Sequence, residues 1–161
     1  MNTDRFADCR GRLDLLADLN AERTDVFAAY DLERLPAAAD LEEAVGRHFE
    51  LVGKTRYDPP RDYPAATWHI TLEEISGPFE HTLHRMCERW FFRSEVLAAV
   101  PLSPHRENVV NGFLAGLVAA IGNCRTWRVH IAPQCWYGIE WDHVAFEAVD
   151  GRYMLSFMRS D

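Results

Sequence analysis

Apolar residues return at helical spacing through much of the chain and switch to alternation near its end. Phe6, Cys9, Leu13 and Leu16 recur behind Thr3 and Asp4, which predicts an opening amphipathic helix running toward Asn20, with Asp8, Arg12, Asp14, Asp18 and Glu22 on its polar side. Residues 24–35 fit two elements: Thr24 and Asp25 are capping types for a short helix, and residues 26–30 also suit a strand. Asp40 and Glu43 form a capping box ahead of the stripe Leu41, Ala44, Val45, His48, Phe49 and Val52, with Gly53 where a helix stop belongs. His48 is expected at the edge of the core.

Residues 54–66 hold Pro59, Pro60 and Pro64, which lack backbone donors, so they read as a loop. Trp68, Ile70 and Leu72 then alternate with His69, Thr71 and Glu73, the period of a half-buried strand. Ser76-Gly77-Pro78 opens a helix with Phe79, Leu83, Met86, Cys87 and Trp90 on its apolar face, and Ser103-Pro104 opens another carrying Val110, Phe113, Leu114, Leu117 and Ile121. Gly112 and Gly116, one turn apart on that helix, predict close packing of a neighbour. Four strands follow: residues 127–131, 135–139, 144–149 and 153–158, with Asp150-Gly151 as a hairpin turn.

The expected class is α+β: a mainly antiparallel sheet of about five strands, four of them C-terminal, against four to five helices. One domain is expected, helical over about 1–53, with a strand and helices over 67–122 and strands over 125–158. At 161 residues and 48% hydrophobic the chain can bury a core without staples. Cys9, Cys87, Cys124 and Cys135 are too scattered for a disulfide framework or a zinc ribbon. The charged start and the shortness of the longest apolar run, 113–122, argue against a secretory signal or membrane span and for a cytosolic location.

The net charge of -8, from 25 acids and 17 bases, argues against direct nucleic-acid or anionic-lipid binding and leaves a basic partner attractive. Residues 1–50 hold 12 acids against 6 bases, 51–100 hold 7 against 6, and 101–161 hold 6 against 5, so the negative charge concentrates in the first third.

Chemistry-bearing patterns are sparse. His81, His84 and Glu88 have the spacing of metal ligands on one helix face, but that face lies opposite the apolar one and reads as solvated. No cofactor or metal is expected. There is no GxSxG, no Gly-rich phosphate loop and no Walker lysine. His69-Ile70-Thr71-Leu72 resembles one half of the HxTx signature of the two-histidine (2H) phosphoesterases, in which two histidines serve as acid and base at a phosphate. The nearest second copy, His130-Ile131-Ala132, lacks the hydroxyl.

The segment from Trp136-Tyr137-Gly138-Ile139-Glu140-Trp141-Asp142 through Phe146-Glu147, with Asp150-Gly151-Arg152-Tyr153 behind it, looks like the closing hairpin of small bacterial immunity proteins. Those proteins neutralise polymorphic or contact-dependent toxins, and the resemblance implies a cytosolic, stoichiometric, non-catalytic inhibitor with one protein partner, a basic toxin or enzyme domain. Aromatic side chains dominate protein-binding hot spots, and acidic ones steer a cationic partner. The expected partner-binding residues are therefore Trp136, Tyr137, Glu140, Trp141 and Asp142, with Asp14, Asp18 and Glu22 of the first helix. Two rival expectations stand beside this: a 2H-like phosphoesterase using His69, Thr71 and His130, and an acidic inhibitor of a nucleic-acid enzyme acting by charge mimicry.

Overall fold

The first helix, α1 (Thr3–Thr24), follows the apolar stripe: Cys9, Leu13, Ala17 and Asn20 are buried along one side. A computed structural model of the protein describes it together with the rest of residues 3–24, 26–55, 68–92, 104–132 and 138–160. The ambiguous segment after α1 is strand β1 (Phe27–Arg34). Strand wins there because β1 pairs with the last strand along its whole length, from Phe27↔Ser160 to Arg34↔Tyr153, and that register buries Tyr30 and Leu32 together.

Helix α2 (Leu41–Thr55) starts at the predicted box: the Glu43 N–H donates to Asp40 Oδ1 at 2.8 Å, and the Glu43 carboxylate reaches back to accept from the Ala39 N–H at 2.8 Å. Gly53 does not stop it. Lys54 pairs with Glu50 at 2.6 Å and the Thr55 hydroxyl donates to the Leu51 carbonyl at 2.8 Å, and the helix runs on to Thr55. His48 is buried, beyond the edge position expected of it, and its Nδ1 lies 3.5 Å from Glu33.

Strand β2 (His69–Glu74), helices α3 (Phe79–Phe91) and α4 (Pro104–Ile121), and strands β3 (Cys124–Ala132), β4 (Glu140–Ala148) and β5 (Gly151–Ser160) complete the order. The C-terminal part contributes three strands, and the sheet's fifth member is β1. Of the segment expected as strand over 135–139, only residues 138 and 139 are described, and they are not in a strand. The hairpin turn also moves by one residue. Val149 and Asp150 form it, and Gly151 opens β5 opposite Ala148. A Cβ on Gly151, whose φ is 155°, would sit 3.1 Å from an Arg34 guanidinium nitrogen, so the missing side chain serves the packing of β1 on β5.

The result is an α+β fold of four helices and one antiparallel sheet in the order β1-β5-β4-β3-β2. One face packs on α1, α3 and α4 through a large aromatic core that includes Tyr30, Trp90, Phe113, Phe146 and Phe157. The opposite face packs on α2 through Phe49, Trp68, Trp127 and Met154. The α4 glycines behave as their spacing predicts: a Cβ on Gly116 would lie 3.2 Å from the Cys9 sulfur, so α1 approaches α4 closely there. The C-terminal end of α3 leaves carbonyls that no turn of helix can satisfy, and two other elements supply the donors. Asn20 of α1 donates to the Trp90 and Phe91 carbonyls at 2.9 and 3.3 Å, and the Tyr30 hydroxyl of β1 donates to Trp90 at 2.7 Å. Among the described residues no helix is long and apolar enough to cross a membrane.

Candidate partner-binding surface

Burying Cys9, Leu13, Ala17 and Asn20 leaves the outer side of α1 to solvent, and two leucines lie on it. Leu15 is 59% and Leu19 45% exposed. Asp14, Asp18 and Glu22, the three predicted acids of this helix, are exposed beside them. None of the three has a salt-bridge partner among the described residues, whereas Asp8, one turn before Arg12, is paired to it at 3.0 Å. The second half of α1 therefore presents two large apolar side chains framed by three uncompensated carboxylates, with Arg23 the one base in that stretch.

The predicted acids of β4 have a different fate. Asp142 accepts from Trp90 Nε1 at 2.6 Å and pairs with Arg89. Glu140 lies 3.5 Å from Arg159 and 3.9 Å from Arg89. Trp141 points to the other face of the sheet and packs against the α2 core. These three residues tie α3 and β5 to β4, and most of their interaction capacity is used inside the molecule. Trp136 and Tyr137 lie outside the described residues. The predicted set is thus divided between two elements, α1 and β4, and the free acidic groups are those of α1.

The residues named for acid-base chemistry lie on neighbouring strands. Thr71 is the cross-strand partner of His130, and His69 is the partner of Ala132, so His69, Thr71 and His130 share the face of the sheet that α3 borders. His69 and Thr71 are exposed, and His130 Nε2 lies 3.1 Å from Glu73. His81 and His84 lie at the rim of a cavity of about 540 Å³ between α3 and α4, lined further by Glu80, Asn111, Leu114 and Val118. Among the described residues, no group of three or more His, Cys, Asp or Glu side chains is placed to hold a metal ion.

Among the described residues, cysteine nucleophiles are disfavoured by environment. Burial pushes the thiols of Cys9, Cys87 and Cys124 up, so each is held in the thiol form. What sequence reasoning missed is Leu15 and Leu19. The signal was present, because both fall off the stripe that α1 buries. No family model, no curated protein and no solved structure matches this chain.

Proposed function

We propose that this chain is a non-catalytic inhibitor of the immunity type, acting in the cytosol and neutralising a basic toxin or enzyme domain by direct binding through α1. The observation that carries this reading is the pair of exposed leucines, Leu15 and Leu19, inside the unpaired carboxylates Asp14, Asp18 and Glu22. Apolar side chains set among mainly acidic ones supply contact area and steering together: the leucines lose water on docking, and the acids raise the encounter rate with a cationic surface. The test is co-expression with the C-terminal domain of the protein encoded immediately upstream. Rescue of growth by the wild-type chain, lost in Leu15→Asp/Leu19→Asp while the variant keeps its circular dichroism, is the expected outcome. Equal rescue by the variant would end the α1 reading.

A second reading has its own observation, the shared face of His69, Thr71 and His130. Two imidazoles on adjacent strands can act as acid and base toward one phosphodiester. In that case the purified chain hydrolyses a cyclic phosphodiester and His69→Ala abolishes the activity. Hydrolysis unchanged in His69→Ala would remove this reading.

A further inference from the structure

We propose that the cleft between α3 and the β3–β4 part of the sheet is a binding site for a small molecule carrying a phosphate group. The cleft has a volume of about 480 Å³ and is lined by His81, Thr82, Arg85, Met86, Arg89, Arg128 and Asp142. In a chain of net charge -8, three guanidinium groups around one cavity of ligand size are a local reversal of sign.

The neighbouring acids cancel one of the three, Arg89, and leave the other two. Asp142, the one carboxylate of the lining, already pairs with Arg89 and accepts from Trp90 Nε1. Glu140 lies between Arg89 and Arg159. Glu73 is the cross-strand partner of Arg128, yet its carboxylate is engaged by His130 Nε2 at 3.1 Å. Arg85 and Arg128 are left over: neither has a salt bridge to any described residue.

Arg128 adds the sharper indication. Its Nε is sealed from solvent and meets no hydrogen-bond acceptor among the described residues. Buried donors are satisfied in nearly all folded proteins, and this unsatisfied one belongs to a side chain that also lines the cleft. Guanidinium groups match the oxygens of phosphate in pairs, which selects this anion class over a point acceptor such as chloride. Thr82 supplies a hydroxyl at the same rim, and the buried Met86 gives the cavity an apolar wall against which the non-phosphate part of a ligand can lie. The site shares no residue with the α1 surface or with His69, Thr71 and His130, and it rests on neither reading above.

The test is isothermal titration calorimetry of the whole chain at fixed ionic strength, with inorganic pyrophosphate and with ADP as probes. One-site saturable binding is expected, and Arg85→Gln and Arg128→Gln should each weaken it about tenfold or more, the loss of one charge-assisted pair. Arg47→Gln, on α2 across the sheet, should bind as the wild type does. Tighter binding of ADP than of pyrophosphate would assign the phosphate to a nucleotide-like ligand, and equal binding would assign it to the free oxyanion; either supports the site. Arg85 is exposed, so Arg85→Gln decides the matter if Arg128→Gln does not fold. No saturable binding of either probe, or full affinity in Arg85→Gln, overturns the proposal.

Discussion

Two acidic regions of this molecule contain the same kinds of residue and use them in opposite ways. At the start of β4, Glu140, Trp141 and Asp142 face inward partners: Arg89, Arg159, the Trp90 indole and the α2 core. On the second half of α1, Asp14, Asp18 and Glu22 surround Leu15 and Leu19 and have no salt bridge among the described residues. The difference shows that an acidic, aromatic-rich segment is not a binding surface by composition alone. What matters is whether folding has already consumed its hydrogen-bonding and apolar capacity, and on α1 it has not.

That contrast can be broken by substitution, and the largest effect should come from the two sides of α1 itself. Leu13 is fully buried, so Leu13→Ala should cost about 2–5 kcal/mol in chemical denaturation through lost burial and the cavity left behind. Leu15→Ala should stay within about 0.5 kcal/mol of the wild type. Comparable losses at both positions would mean that α1 has no free side.

Next in size is the fate of the acids. Asp142→Ala leaves the Trp90 N–H and the Arg89 guanidinium without their acceptor and should cost about 1–3 kcal/mol. Asp18→Ala has no such partner to strand and should be within about 0.5 kcal/mol. Conversely, replacing Asp14, Asp18 and Glu22 by Asn, Asn and Gln should slow association with a cationic partner several-fold at low salt and flatten its salt dependence, with little change in dissociation. A steep salt dependence that survives these replacements would locate the steering charge elsewhere on the chain.

The smallest effect concerns α2. Hydrogen bonds from the Ala39 N–H and from Arg47 hold the Glu43 carboxyl below its ordinary value of 4.5. A depressed carboxyl contributes stability that is present above its unfolded value and is lost as pH falls through the folded one. Stability should therefore decline on the acid side below about pH 4–5, a range set by ordinary carboxylates. Glu43→Gln should remove a small part of that slope and change nothing at neutral pH beyond the loss of the cap. A slope unchanged between the two proteins would show that the capping box is not formed in solution.

Much of the fold was legible because its determinants are local. The Asp40/Glu43 box, the proline entries to α3 and α4, and the alternation around Trp127 each specify an element within a few residues. Where tertiary pairing decides, the pattern was silent. Residues 26–30 suited helix and strand alike until β5 supplied a partner, and Gly151, expected in the hairpin turn, pairs with Ala148 as the first residue of β5. The candidate surfaces divide in the same way. Asp14, Asp18 and Glu22 were readable as the polar side of a helix, whereas the internal use of Asp142 depends on Arg89 and Trp90, more than fifty residues distant. The arginine cleft draws on α3 and β3, and no local spacing announces it.

The most direct test of the account is the affinity of the Leu15→Asp/Leu19→Asp variant for the proposed partner, the C-terminal domain of the protein encoded immediately upstream, measured beside Glu140→Gln and against the wild type by calorimetry. The account predicts a loss of about a hundredfold or more for the α1 variant, with its melting temperature unchanged, and near-wild-type affinity for Glu140→Gln. Wild-type affinity in the α1 variant, with the loss appearing instead in Glu140→Gln, would contradict it.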